Sequence, residues 1–427
     1  MKATQVFPKG APALVVILVG IGAALHVGKL PPAIPVLREA LGVTLLQAGF
    51  LLSLVQFAGM ALGLLAGIAV EGLGLRRSML IGLSVLALAS AAGAVAPDAP
   101  MLLGLRAVEG FGFLLTVLPA PALLRALVPP QRLALYLGMW GGYMGIGTAL
   151  ALFCGPWVMA VVGWQGWWWL LAAISLGMAL WLWRSVPSDD SRRTARAADA
   201  PAEAAASATD DWRQRLRLTL GSSGPWLVAL CFAMYSSQWL GVVGFLPSIY
   251  DQAGLGSGLG GALTALVCLV NVIGNVAAGR LLHRGIEARQ ILHGAFVSMA
   301  LGTVVAFGSA FDGLFVVRYV AVLLFSAIGG LIPGALFSLA VQVAPSERTV
   351  SATVGWMQQW SSTGQFFGPP LIAWVAALSG GWHWTWAVTG AASLCGLVLA
   401  SLIARRIRKP GAATDPAKPI LSTPPRS

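Results

Sequence analysis

The sequence predicts an all-α membrane protein of twelve transmembrane helices in two six-helix halves. Composition, run length and charge placement carry that prediction. Of 427 residues, 57% are apolar and only 10% charged, against roughly a quarter charged in ordinary soluble domains. The apolar residues come in runs of about twenty, the length that crosses ~30 Å of hydrocarbon at 1.5 Å rise per residue. Lys and Arg gather in alternate connecting segments. This composition excludes a soluble enzyme, a disordered chain and a disulfide scaffold.

In chain order the expected spans are Ala13–Val36, Leu45–Val70, Ser78–Ala96, Met101–Leu124, Leu133–Val161 and Gly166–Trp183, then Pro225–Ile249, Leu259–Leu282, Ile291–Gly308, Leu314–Val341, Ser351–Leu378 and Trp384–Ala404. They are too long for barrel strands and lack their alternation. Lys2 and Lys9 precede the first run as in a signal peptide. That run is too long for such a segment and ends in no small-x-small site, so it reads as an uncleaved helix. The polar stretch Ser185–Ser223 reads as a cytoplasmic linker with a short basic surface helix near Asp211–Leu218. The expected domains are therefore a first bundle over 1–184, the linker over 185–223, a second bundle over 224–405 and a disordered, Pro-rich tail over 406–427.

With both termini in the cytoplasm, all but four of the 27 Lys and Arg lie in cytoplasmic segments. The exceptions are Lys29, Arg38, Arg106 and Arg318, and the external loops carry Asp98, Asp251 and Asp312. The net charge of +12 is thus a topology signal before it is an affinity for anionic lipid, and it does not point to nucleic acid. Arg outnumbers Lys in the manner of a GC-rich bacterial genome, which suggests a bacterial inner membrane. Cys154, Cys231, Cys268 and Cys395 stand singly in apolar runs, and the four histidines are scattered. Neither a disulfide framework nor a metal site is expected.

The two halves align at an offset of 212: Pro35 with Pro247, Gly67 with Gly279, Arg106 with Arg318. A repeat of six spans in one orientation implies a pseudo-two-fold along the membrane normal, with substrate between the halves. The loop after the second span reads Gly67-Ile-Ala-Val-Glu71-Gly-Leu-Gly74-Leu-Arg76-Arg77. This resembles the hallmark Gly-x-x-x-Asp-x-x-Gly loop of the major facilitator superfamily. Arg106-x-x-Glu109-Gly110-x-Gly112 is similar to its second motif, and Gly155-Pro156 to part of its antiporter motif. The exit of the first span, Lys29-Leu-Pro-Pro-Ala-Ile-Pro35, resembles the cyanate permease-like branch. The chain departs from the pattern with Glu71 in place of Asp, Leu75 in place of a frequent Arg, and no Gly-Gly after Pro156. In the second copy of the loop, Gly279, His283 and Arg284 stand at the motif positions, with His283 at the acidic one. The resemblance implies that spans 1, 4, 7 and 10 line a cavity and that Glu71 meets the N-terminus of span 11 to latch the cytoplasmic side.

Three of those four spans carry a cation: Lys29, Arg106 and Arg318. A cation at the bilayer centre costs roughly 2.5–3.5 kcal/mol on insertion scales. Glu109 is the one acid close in sequence to Arg106, at i+3, and none is close to Arg318. An anion shared by Arg106 and Arg318, with Lys29 assisting, is the simplest compensation. His26 shares the face of Lys29 and reads either as a site residue or as helix packing. Tyr143, Tyr235, Gln238, Asn271 and Gln359 are polar candidates, equally readable as interhelical hydrogen bonding. Gly59, Gly63 and Gly67 form a small-residue stripe suited to close packing. Gly256-Ser-Gly-Leu-Gly-Gly261 matches a dinucleotide fingerprint but follows no strand. The expected function is secondary transport of a small anion by a monomer, with no cofactor and no enzymatic step, coupled to protons or another ion. Proton-coupled drug efflux is the alternative.

Overall fold

The computed structural model describes residues 11–190, 212–346 and 349–408, with the side chains of 11, 65–72, 134, 212 and 408 outside the description. The helices run α1 (Ala11–Gly28), α2 (Ile34–Leu41), α3 (Leu45–Ser53), α4 (Phe57–Leu73), α5 (Leu75–Gly93), α6 (Ala99–Val117), α7 (Ala120–Leu127), α8 (Pro130–Gly141) and α9 (Tyr143–Ser185). They continue as α10 (Trp212–Gly221), α11 (Ser223–Gln252), α12 (Ser257–His283), α13 (Ala288–Phe307), α14 (Phe315–Gly329), α15 (Leu331–Val343), α16 (Val350–Ser379) and α17 (Thr385–Arg408). No strand occurs among the described residues.

Local chemistry sets the breaks. The expected first span is interrupted: α1 stops at Gly28, and the chain passes through a 3-10 turn at Pro31–Ala33 before α2. Pro31 and Pro32 have no N–H to give the preceding turn, so the α-helical ladder cannot run through them. At the start of α3, the Thr44 hydroxyl accepts from the Gln47 amide at 3.2 Å, and Gln47 Oε1 accepts from the Thr44 amide at 2.9 Å. Asp98 caps α6 by accepting from the Met101 amide at 2.9 Å.

Ten helical stretches among the described residues are long and apolar enough to cross a membrane. The longest, Pro130–Ser185, has 56 residues. It is interrupted at Gly163, whose φ of 72° and ψ of 173° suit only glycine. The 30 residues of α16 are not among the ten, because Gln358, Gln359, Gln365 and four serines dilute their apolarity.

Polarity is inverted relative to a soluble domain. Val161 is 84% exposed while Lys29 is fully buried. Apolar side chains such as Leu88, Leu378 and Leu394 cover the outside, as a hydrocarbon solvent requires. Inside, α1 packs along α9, α5 against α6, and α11 along α16. Two seams tie early helices to late ones: α3 and α4 against α16, and α9 against α12. The glycine stripe serves the first seam. A Cβ on Gly59 would meet Ser362 Oγ at 2.5 Å, and one on Gly63 would meet Gln359 Cβ at 3.1 Å; Gly67 lies outside the described side chains.

Candidate functional site

The ionisable residues of α1 and α6 converge in the interior. Lys29 follows the last turn of α1 and reaches Glu109 Oε1 with its ammonium. Arg106 Nη1 holds the other oxygen, Glu109 Oε2, at 2.6 Å. Arg106 Nε donates to the Leu51 carbonyl of α3 at 3.0 Å. Lys29 also donates to Ser90 Oγ of α5 at 3.2 Å, and its ammonium lies 4.6 Å from the centroid of the Trp168 ring. Ser90 in turn donates to the Trp168 carbonyl at 2.9 Å. His26 joins from one turn below: Nε2 meets Ser175 Oγ at 2.8 Å, and Nδ1 stands 3.7 Å from Glu109 Oε1.

Burial is complete: His26 and Lys29 are 0% exposed, Arg106 and Glu109 2%. The space bounded by Leu51, Leu102, Arg106, Glu109 and Trp168 leaves no room for a water molecule. Two cations share one carboxylate here, so with His26 neutral the cluster holds an excess positive charge. Arg106 Nη2 and His26 Nδ1 make no hydrogen bond.

Arg318 does not join this cluster. Its Nη1 holds Asp312 Oδ1 at 3.0 Å and its Nε donates to the Ala306 carbonyl at 2.5 Å. The expectation that no acid lies within its reach is corrected. Residues 311–314 fold back over the first turn of α14, bringing an acid six residues upstream onto the guanidinium. Arg106 and Arg318 are thus each paired with an acid of their own, Glu109 and Asp312, and no contact brings the two guanidiniums together in this conformation.

The other polar candidates are mostly occupied between helices. Tyr235 and Asn271 pair with each other, Asn271 Nδ2 lying 2.9 Å from the tyrosine oxygen and also donating to the Ser326 carbonyl at 2.8 Å. Gln238 has other partners: Nε2 donates to the Met234 carbonyl, and Oε1 accepts from Ser393 of α17 at 2.9 Å. Gln359 bridges to α4, accepting from the Leu64 amide at 2.9 Å and donating to the Met60 carbonyl at 2.8 Å. Tyr143 is half-buried and stacks on Trp140 at 4.3 Å.

In the motif loop, Gly74 has φ of 99°, a conformation glycine alone adopts without strain. Asp189, read in sequence as part of the linker, caps the following helix from a distance. Its carboxylate accepts from the amides of Arg76 at 3.2 Å and Arg77 at 3.0 Å. Arg77 also pairs with Asp190 at 2.7 Å, and Arg76 donates to the Trp183 carbonyl. The loop is thus bolted to the end of α9. The side chain of Glu71 lies outside the described residues. A Cβ on Gly110 would meet the Val55 carbonyl at 2.8 Å, and one on Gly155 would meet Pro32 at 3.3 Å. Pro156 abuts Gly261 across the α9–α12 seam. Gly279 faces open space, and His283 and Arg284 are exposed. No group of three His, Cys, Asp or Glu among the described residues is placed to hold a metal ion.

Sequence reasoning missed Ser90, Ser175, Trp168 and Asp189. Isolated serines and tryptophans are ordinary in apolar helices, and only the packing shows what they face.

The family model of the Major Facilitator Superfamily matches residues 13–360. Two curated Escherichia coli K12 proteins are similar along the chain. The cyanate transport protein CynX is 23% identical over 93% of this chain and 98% of its own. The 2-nitroimidazole transporter is 26% identical over 82% and 84%. Among solved structures, the partially occluded inward-open xylose transporter XylE of E. coli superposes with a TM-score of 0.72 at 14% identity, covering 91% of this chain and 96% of that one. An inward-facing, occupied bacterial homolog of the lysosomal transporter Spinster gives 0.72 at 12%, covering 93% and 96%. The chain belongs to the Major Facilitator Superfamily; it is a multi-pass membrane protein that moves a small solute, and not an enzyme.

Proposed function

We propose that the chain is a secondary active transporter of a small monoanion. It works by alternating access between two six-helix halves, 1–184 and 224–405, that supply twelve spans. Twelve rather than ten follows from dividing Pro130–Ser185 at Gly163 and counting α16 as a span. The protein sits in a bacterial inner membrane as a monomer, with both termini and the Ser185–Ser223 linker in the cytoplasm.

The observation that carries the anionic substrate is the cation excess around Glu109. A buried charge needs a partner. Lys29 and Arg106 have one carboxylate between them, and one Arg106 donor is left over. When the helices part, a solute anion supplies the second negative charge. His26, 3.7 Å from the carboxylate, is placed to pass a proton to Glu109, which would release the cations to the substrate and couple anion to proton movement. The similarity to a cyanate transport protein favours a small, linear or planar anion. Counterflow in proteoliposomes loaded with cyanate, nitrate, formate or small carboxylates tests this. Exchange of at least one of them, lost in Arg106→Gln, is expected. Exchange only of neutral or cationic compounds would sink the reading.

A second reading is efflux of neutral heteroaromatic compounds. It is favoured by the similarity to a 2-nitroimidazole transporter and by the Gly155–Pro156 pair.

A further inference from the structure

A recess of about 320 Å³ lies where the ends of α11 and α13 meet the first turns of α14. Its floor is apolar and buried, made by Leu246, Phe307 and Val322. Its wall is aromatic. Tyr250 lies 5.9 Å from Phe315 and 6.3 Å from Tyr319, and the rings of Phe315 and Tyr319 are parallel within 4°.

Two hydrogen-bond donors at this recess lack acceptors. Tyr250 is 6% exposed, yet its hydroxyl makes no hydrogen bond. Arg318 gives Nε to the Ala306 carbonyl and Nη1 to Asp312, and Nη2 has no acceptor among the described residues. The Tyr319 hydroxyl is satisfied by the Leu263 carbonyl at 3.0 Å, so that residue offers only its ring. The buried Tyr250 hydroxyl is destabilising unless something else brings an acceptor, while Arg318, 28% exposed, has Nη2 free to meet one.

We propose that this recess is a second ligand site, for a planar aromatic monocarboxylate. The ligand ring packs on the Tyr250, Phe315 and Tyr319 faces in offset or edge contact. Its carboxylate accepts from Tyr250 Oη and Arg318 Nη2, the second bond being charge-assisted. Asp312 sets the charge limit. It holds Arg318 from the rim and lies 3.3 Å from His383, so a second carboxylate on the ligand would face a fixed negative charge. The site shares no residue with the Lys29–Arg106–Glu109 cluster and stands whether or not the chain carries anions.

Calorimetry on the full-length protein in phosphatidylcholine nanodiscs, with benzoate as the probe, tests it. Benzoate is expected to saturate a site and to bind about 2–10-fold more tightly than cyclohexanecarboxylate, which has the same charge and no π face. Tyr250→Phe removes one oxygen from a packed ring and should weaken benzoate about 3–10-fold, and Arg318→Gln about 10–100-fold. Thermal unfolding of both variants checks that the fold is kept. Absence of benzoate binding, or equal affinity in folded Tyr250→Phe and Arg318→Gln, overturns the site. Affinity set by Glu109→Gln instead would place the binding at the inner cluster. Loss of benzoate binding in phosphatidylglycerol nanodiscs, with the parent alone sensitive to the lipid, would make the recess a lipid headgroup site and overturn the proposal as well.

Discussion

Glu109→Gln isolates the charge imbalance at the centre of the cluster. The amide keeps the shape of the side chain and one acceptor oxygen, but it removes the negative charge shared by Lys29 and Arg106. Both cations remain fully buried with no carboxylate. Breaking a buried pair from one side costs about 3–5 kcal/mol, and here one deletion strands two cations, so the upper end of that range applies. At roughly 2–4 °C per kcal/mol the unfolding temperature should fall on the order of 10 °C. A small anion that pairs with the two stranded cations as the surrounding helices part should restore part of the loss, about 2.7 kcal/mol at a concentration a hundred times its Kd. The assay is thermal unfolding of purified parent and variant across a series of formate, nitrate and cyanate concentrations. The variant should show the larger anion-dependent rise, because the parent's own carboxylate competes for the same donors. Lys29→Met combined with Glu109→Gln should be more stable than Glu109→Gln alone, since it leaves one uncompensated cation instead of two. A variant as stable as the parent, or one that no anion stabilises beyond the parent, refutes the argument.

Asp189→Asn weakens the cap that Asp189 makes on the amides of Arg76 and Arg77. A loss of about 0.5–2 kcal/mol is expected, read as a lower unfolding temperature, and an unchanged value would mean that solvent satisfies those amides equally well. Gln359→Ala removes two hydrogen bonds to the α4 backbone, about 0.5–1.5 kcal/mol each. Cysteine labelling at Gly355 should therefore quicken as the α4–α16 seam opens, and identical labelling rates would deny the seam that role. Cysteines placed at the exposed positions Arg284 and Ala253 should separate under an impermeant thiol reagent on whole cells. Only Ala253→Cys should react, and reaction at Arg284→Cys would reverse the orientation.

The sequence made the spans legible because bilayer thickness dictates run length, and nothing within a run alters that requirement. It failed where a local exception intervened. Pro31 and Pro32 split the first span, and the glutamines of α16 hold its apolarity below that of its neighbours. The charge cluster was half legible. Arg106 and Glu109 stand three apart on one helix, so their pairing is a helical-spacing inference. Lys29 meets Glu109 across 80 positions of chain, and no periodicity links two helices. Asp189 sits in a run that reads as a polar linker, and its capping role depends on where α9 ends in space. The sequence aligns Arg106 with Arg318 at the offset of 212. Their partners differ because Glu109 lies one turn along the same helix, whereas Asp312 lies in the turn that precedes α14.

The cluster and the seam between early and late helices are mechanically connected, and the connection runs through two adjacent residues. Arg106 Nε holds the carbonyl of Leu51. Leu52, the next residue, packs with its side chain against Gly244 of α11, where a Cβ would come within 2.8 Å. The same helix, α3, lies along α16. Lys29 stands at the other side of the carboxylate, two residues before the Pro31–Ala33 turn, which itself packs against α11. A carboxylate that loses its charge releases Arg106 and Lys29 together, and so loosens both the α3 backbone and the break after α1. These are the segments through which early helices touch α11 and α16. Under the proposed function, a solute anion that pairs with both cations restores both restraints. Packed interfaces are bistable rather than continuously deformable, so the charge on Glu109 can select between two seam arrangements without any contact between that carboxylate and the seam itself.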